Sequence, residues 1–142
     1  MTSRPDSFNC QKMTQRSHTL VAEATSIATA TSLGRLESIH FLIAMTSDQV
    51  SIAGLVLKQN GVKRDDLLSV VLDVGREDVE ALRDEIFFIA TQLGHTYPGP
   101  EHFILAICRG QNWNGASALR ILGIDPKKIE HDVYEVLGTW PS

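Results

Sequence analysis

The chain has 142 residues, of which 43% are hydrophobic and 21% are charged, and its formal net charge is −4. This length and composition fit one globular domain and exclude the low hydrophobicity that is typical of disordered chains. The sequence contains no Lys/Arg block that could neutralise a phosphate backbone, which argues against binding to DNA or RNA.

Nothing in the sequence indicates a membrane segment or a secretory signal. No apolar run approaches the roughly 20 residues that are needed to cross a bilayer. Residues 1–19 lack the apolar stretch of a signal peptide, and we interpret 1–11 as a disordered lead. Cys10 and Cys108 are interpreted as two unrelated reduced thiols, so we expect a cytoplasmic location, or a plastid if the source is a plant or alga.

Hydrophobic residues recur at intervals of three or four through most of the chain, which predicts an all-α fold. Gly94 and Gly123 stand where helices should end, and Asp125 followed by Pro126 suits the start of the last helix. Asn114 is interpreted as the cap of another helix. The predicted helices span about 14–33, 37–46, 50–60, 63–74, 78–93, 100–109, 115–122 and 126–137.

The second half of the sequence repeats the first half. At an offset of 62 residues, 40–45 (HFLIAM) falls on 102–107 (HFILAI), and Gly61 falls on Gly123. Upstream the offset becomes 60, so the second copy carries two extra residues in a loop, where insertions are tolerated. The pattern indicates an internal duplication.

This duplication predicts eight helices in two four-helix repeats related by a pseudo-twofold axis. Repeat one spans 12–74 and repeat two spans 78–138. The link at 73–77 is too short to separate independent domains, so we expect a single domain over 12–138. Residues 139–142 form a tail.

No motif of a known catalytic type is present. The sequence has no P-loop, no glycine-rich dinucleotide loop and no C-x-x-C or H-x-x-x-H metal spacing. We therefore expect no catalytic residue, no cofactor, no metal and no ATP hydrolysis. Cys108 lies in an apolar run and is expected to be buried and unreactive.

Three side chains near the start of two predicted helices invite a closer interpretation. His40 and His102 are equivalent in the two repeats, and each can hydrogen-bond a nearby backbone group or carboxylate to fix a loop to a helix. Glu101 stands in a first helical turn, where its charge is favoured and it can accept a guanidinium.

Two alternatives to a simple binding module remain open. One is a small metal-dependent hydrolase that uses His95, Glu101 and His102. The other is a homodimeric scaffold that associates through the polar loop 110–115 around Trp113, since an aromatic residue in such a loop is an interface candidate. A monomer is favoured.

The residues assembled above resemble the N-terminal domain of Clp-type chaperone ATPases. Residues 93–102 (LGHTYPGPEH) and 118–125 (ALRILGID) resemble the second-repeat pattern L-G-H-x-Y-x-G-T-E-H followed by L-x-x-L-G-V-D. Residues 13–16 (MTQR) resemble, more weakly, the F-T-x-R start of the first repeat. The resemblance covers about 12–138.

The resemblance implies a domain that receives substrates or adaptor proteins for a Clp unfoldase. Clp ATPase or Clp protease subunits, adaptors and substrates are therefore the expected partners. Several bacterial relatives also recognise phosphorylated arginine through the glutamate of each E-H motif and nearby Thr and Arg groups. On this basis the candidate binding residues are Thr14, Arg16, His95, Tyr97, Glu101, His102 and Trp113.

The sequence departs from that family pattern at several positions. Ile39 replaces the glutamate of the first repeat, and Pro100 replaces the threonine before Glu101. The second repeat lacks the F-T-x-R start, so at most one phosphoarginine pocket is expected. Because no ATPase module follows, we expect either a free-standing domain that acts as an adaptor, modulator or decoy, or the front part of a longer ATPase.

Overall fold

The computed structural model describes residues 12–31, 35–48, 50–110 and 112–138. Within these residues the chain forms eight α-helices and no strand, which confirms the all-α prediction. The helices are α1 (Gln15–Thr31), α2 (Ser38–Met45), α3 (Ile52–Gln59), α4 (Arg64–Val70), α5 (Val79–Gln92), α6 (Pro100–Arg109), α7 (Asn114–Ile121) and α8 (Pro126–Leu137). The predicted lead and tail lie outside the described residues.

The structure refines two local predictions. Helix α4 ends at Val70 rather than at residue 74, because the backbone turns there into the link, with the Asp73 N–H donating to the Val70 carbonyl at 2.9 Å. Asn114 is the first residue of α7 and not its cap, which is Trp113. The buried side chain of Asn114 is used elsewhere, as described below.

The other helix boundaries follow the sequence signals. Gly61 and Gly123 occupy equivalent positions and have φ angles of 74° and 79°, a left-handed conformation that strains any other L-residue. At the start of α8 the Asp125 carboxylate accepts a hydrogen bond from the Lys127 N–H at 3.0 Å, and Pro126 takes the first helical position.

The core lies where the two repeats meet. All eight residues of α2 and eight of the ten residues of α6 are buried. Phe41 and Phe103, which are equivalent in the two repeats, pack edge to face with ring centroids 5.2 Å apart. Because equivalent residues contact each other, the pseudo-twofold axis passes between these rings, and the two repeats share one hydrophobic core.

A buried polar cluster ties the repeats together at the starts of α2 and α7. The Asn114 side-chain carbonyl accepts hydrogen bonds from the Ser38 hydroxyl at 2.9 Å and the Ile39 N–H at 3.0 Å. Its amide nitrogen donates to the Glu37 carboxylate and to the Gly75 carbonyl, both at 3.0 Å. One side chain thereby contacts both repeats and the link between them.

The Glu77 carboxylate in the link completes this polar cluster. One oxygen accepts from the Ser38 N–H at the start of α2, and the other accepts from the Asn114 N–H at the start of α7. The Glu77 N–H in turn donates to the Glu37 carboxylate at 3.1 Å. Two helix N-termini, whose free N–H groups favour negative charge, therefore share a single carboxylate.

We predict that Asn114→Ala lowers the free energy of unfolding by about 2–3 kcal/mol, because it leaves several buried polar groups without partners. Urea unfolding measures the change. Asn112→Ala, at an exposed position two residues earlier, is the control and should stay within about 0.5 kcal/mol of wild type. Equal effects of the two substitutions would contradict the proposed importance of the cluster.

Candidate functional site

The loop between α5 and α6 is anchored on the first turn of α1. The Pro98 carbonyl accepts a hydrogen bond from the Thr14 N–H at 3.0 Å and another from the buried Ser17 hydroxyl at 2.9 Å. The loop belongs to repeat two and α1 belongs to repeat one. Residues from both repeats therefore form this surface. We call residues 94–99 the anchored loop.

A chain of hydrogen bonds fixes the end of the anchored loop. The Gly99 N–H donates to His102 Nδ1 at 2.8 Å, so the neutral ring carries its proton on Nε2. Nε2 lies 2.7 Å from His95 Nδ1, and the bond between them requires His95 Nδ1 to act as the acceptor. Burial lowers the pKa of His102 and favours this neutral form. The backbone amide of Gly99 thus sets the tautomers of both rings.

His40 makes the equivalent junction in repeat one. The Glu37 N–H donates to His40 Nδ1 at 2.9 Å, and burial lowers the pKa of His40 to about 4. Its ring is completely buried. The predicted structural role of the two equivalent histidines is therefore confirmed, whereas the bond between His95 and His102 was not predicted from the sequence.

Glu101 projects from the first turn of α6 and is half-buried. Its carboxylate folds back over the helix start, so that a Cβ atom placed on Gly99 would lie only 2.3 Å from Glu101 Oε1. It accepts no hydrogen bond from the residues that the structure describes. The carboxylate is therefore available to a cationic ligand, while the equivalent residue in repeat one, Ile39, is completely buried.

The predicted binding residues do not form a single group. Tyr97 lies in the anchored loop with 49% of its surface exposed, and Thr14 contacts that loop through its backbone. Arg16 lies in the first turn of α1 and is exposed. It lines a separate pocket of about 310 Å³ with Glu23 and Asp48.

The environment of Asp48 reflects the position of Arg16. Although partial burial opposes ionisation, hydrogen bonds from the amides of Val50 and Ser51 and the charge of Arg16 together lower the pKa of Asp48. Arg16 therefore lies near Asp48, and its part in binding stays a prediction.

Trp113 lies on a different part of the surface. Its half-buried indole packs against Gly110, where an added Cβ would lie 2.2 Å from Trp113 Nε1. It lines a pocket of about 560 Å³ with Arg76, Glu85 and Arg109. Trp113 thus packs partly on the core and stays a candidate contact residue that is distinct from the anchored loop.

The two histidines required by the hydrolase alternative are used in another way. His95 and His102 bond to each other, and within the described ranges no three His, Cys, Asp or Glu side chains are placed to share a metal ion. Cys108 is 3% exposed, and burial raises the pKa of its thiol, as expected for an inert cysteine.

None of the described helices combines the length and apolar character needed to cross a membrane.

Solved structures with the same architecture are N-terminal domains of Clp-type proteins. The Hsp104 N-terminal domain from Candida albicans matches with a TM-score of 0.73 and 15% identity, over 92% of this chain and 95% of that chain. A complex of the ClpV N-domain with VipB peptide matches with a TM-score of 0.67 and 17% identity, over 97% and 94% of the two chains. No sequence-family profile matches the chain.

Two curated proteins also match in sequence. Chaperone protein ClpB from Oceanobacillus iheyensis is 24% identical over 90% of this chain, and chloroplastic ClpC2 from Oryza sativa subsp. japonica is 30% identical over 70%. The alignments cover 17% and 12% of those proteins, so the chain spans less than a fifth of their length.

The duplicated helix starts, the shared core and the link between them define a two-repeat helical domain. More particularly, the chain has the fold of a Clp N-terminal domain, which confirms the resemblance found in its sequence.

We predict that the domain loses stability as the pH falls below 6.5, which is the ordinary pKa of a histidine in the unfolded chain. His40 stays neutral in the folded state until pH is about 4, while the unfolded chain takes up the proton earlier. His40 alone should account for about 2 kcal/mol between pH 7 and pH 5, and buried His102 shifts in the same direction.

Urea unfolding of wild type and His40→Asn at the two pH values tests this expectation. An Asn side-chain oxygen can replace the Nδ1 acceptor without titrating, so the variant should show a smaller loss on acidification even if it is less stable at pH 7. The same loss in both proteins would contradict the assignment.

Proposed function

We propose that the chain is a non-catalytic protein-binding module of a Clp chaperone-protease system, which recognises substrates or adaptors or acts as a stand-alone modulator. The anchored loop is the observation that carries this proposal. Its hydrogen bonds to α1 and α6 hold an exposed aromatic ring, Tyr97, next to the helix start that presents the Glu101 carboxylate. Such preorganisation lowers the entropy lost when a partner binds.

The similarity to solved Clp N-terminal domains supports a binding role. One of these neighbours is a complex of the ClpV N-domain with VipB peptide, so a domain of this architecture can hold a peptide. Three side chains of types that often act in catalysis have structural positions in this domain. The thiol of Cys108 is buried and protonated, and His40 and His102 are neutral and hydrogen-bonded to backbone amides.

The chemistry of the site favours a cationic group on the partner. The Glu101 carboxylate can accept two parallel hydrogen bonds from a guanidinium. Tyr97, four residues earlier in the chain, exposes an aromatic ring of the kind on which a guanidinium stacks. An arginine side chain, with or without a phosphate, is therefore the proposed anchor. Ile39 removes the carboxylate from repeat one, so a single arginine site is expected.

A capture experiment tests the proposed function. The tagged domain, incubated with a lysate of its source organism at low salt, should recover a Clp ATPase, a Clp protease subunit or their clients. Glu101→Ala should weaken capture about tenfold or more, since it removes a charge-assisted interaction. Tyr97→Ser should also weaken capture.

Two matched controls come from exposed positions elsewhere on the domain. Glu135→Ala removes an exposed carboxylate from α8, and Phe88→Ser removes an exposed aromatic ring from α5. Neither control should change capture more than twofold. If the wild-type domain recovers no Clp component and no client, the proposed role as a protein-binding module of a Clp system is wrong.

A separate titration with arginine and phosphoarginine peptides tests the ligand. If wild type captures Clp proteins but binds neither peptide, the arginine anchor is wrong and the binding role stands.

A further inference from the structure

The two repeats build a pocket at the same place, between their second, third and fourth helices. In repeat one it measures about 350 Å³, and in repeat two about 400 Å³. At the offset of 62 residues the lining positions correspond: Thr46 with Cys108, Lys58 with Arg120, Lys63 with Asp125 and Arg64 with Pro126. The two pockets therefore occupy equivalent positions in the two repeats, and their lining residues can be compared directly.

The charges of the two pockets differ. The repeat-one pocket is lined by Lys58, Lys63 and Arg64, with no carboxylate among its described lining residues. The repeat-two pocket is lined by the cations Arg120 and Lys127 together with the carboxylate of Asp125, so part of its positive charge is neutralised. The concentration of positive charge in repeat one is notable because the chain as a whole has a formal charge of −4.

The cation at position 63 replaces a residue type that would stabilise the helix. Asp125, its counterpart, caps α8 by accepting a hydrogen bond from the Lys127 N–H. Lys63 holds the same N-cap position at α4, and its side chain makes no cap hydrogen bond. Since Lys is a poor N-cap and Asp is a good one, the lysine does not serve the stability of α4.

The repeat-one pocket also has more apolar surface at its rim. Leu55 lines it with 42% of its surface exposed, whereas the equivalent residue in repeat two is Ser117. Val62 adds a buried aliphatic side chain to the lining. The combination of exposed cations with an aliphatic side chain suits a ligand that carries both negative charge and apolar surface.

The cations are free to meet such a ligand. Lys58, Lys63 and Arg64 are exposed, and none forms an ion pair with a carboxylate in the part of the chain that the structure describes. Arg64 makes one polar contact, from Nη1 to the Ser47 hydroxyl at 3.2 Å, which orients its guanidinium. Asp65 and Asp66 follow in α4 but do not line the pocket.

We propose that the repeat-one pocket is a second docking site, which binds a short acidic segment of a partner protein with an aliphatic side chain beside its carboxylates. Charge complementarity with Lys58, Lys63 and Arg64 selects the acidic groups, and Leu55 packs against the aliphatic one. This site is independent of Glu101. The domain would thus hold a cationic group at repeat two and an acidic segment at repeat one.

A labelled peptide of sequence Asp-Leu-Glu-Glu-Leu-Asp is the probe, and fluorescence anisotropy at low salt measures its binding. Wild type should bind it saturably, and added salt should weaken the interaction because the charges are exposed. The double variant Lys58→Glu, Lys63→Glu should raise the Kd at least tenfold. Because both positions are exposed, its circular dichroism spectrum and Tm should stay close to those of wild type.

The pseudo-twofold symmetry supplies a matched control. The double variant Arg120→Glu, Lys127→Glu changes the net charge by the same amount in the repeat-two pocket and should leave the Kd within twofold of wild type. Lys63→Asp, which copies the repeat-two residue, should weaken peptide binding while preserving or raising Tm through the restored cap. This opposite movement of affinity and stability separates a binding role from a structural one.

Three results would overturn the proposal. They are a lack of saturable binding by wild type, equal weakening by the two charge-reversal variants, and equally tight binding of a peptide in which Ser replaces both Leu residues. The second result would indicate a general effect of net charge, and the third a simple anion site. None of these three measurements depends on Glu101. The two docking sites are therefore tested separately, even if Glu101→Ala abolishes capture.

Discussion

The carboxylate of Glu77 holds two helix N-termini at once, and the arrangement of the two repeats depends on it. Each helix start exposes N–H groups that have no partner within the helix, and burial makes such groups costly unless a negative charge meets them. The Glu77 carboxylate accepts hydrogen bonds from one N–H at the start of α2 and one at the start of α7. The side chain of Asn114 also bonds the start of α7 to the link, through the Gly75 carbonyl. Burial raises the pKa of Glu77, while the bonds from Ser38 and Asn114 oppose that change. The short link is therefore fixed to both repeats by hydrogen bonds, although none of its residues is fully buried.

This constraint explains why two similar repeats are proposed to have different functions. At the start of α2 the chain supplies its own anion, because the Ser38 N–H is already bonded to Glu77 and the neighbouring Ile39 is buried. At the start of α6, Pro100 has no N–H to satisfy, and Glu101 presents a carboxylate toward the surface. In repeat one the carboxylate at the helix start is bonded within the domain, whereas in repeat two the Glu101 carboxylate accepts no hydrogen bond from the described residues and can meet a ligand.

The fold was predictable because its signals are local. Helical periodicity, the glycines that end helices and the recurrence of His40 at His102 are all readable within a few residues, and the structure confirms them. The site was less predictable because it depends on contacts between distant residues. Thr14 meets Pro98 across most of the chain, and Asn114 meets Ser38 and Glu37. Nothing in the sequence near Asn114 distinguishes a capping residue from one whose side chain joins two repeats.

Hydrogen exchange of the domain in complex with a captured Clp partner tests most directly whether binding is concentrated on the anchored loop. We expect the partner to slow exchange at the backbone amides of Thr96, Tyr97 and Glu101, and at those of Gln15 and Arg16 at the start of α1. We expect little change at Ser38 and Ile39, whose amides are already bonded within the domain. Protection confined to α3, α5 or α8, with none at 95–101, would show that the partner does not bind at the anchored loop.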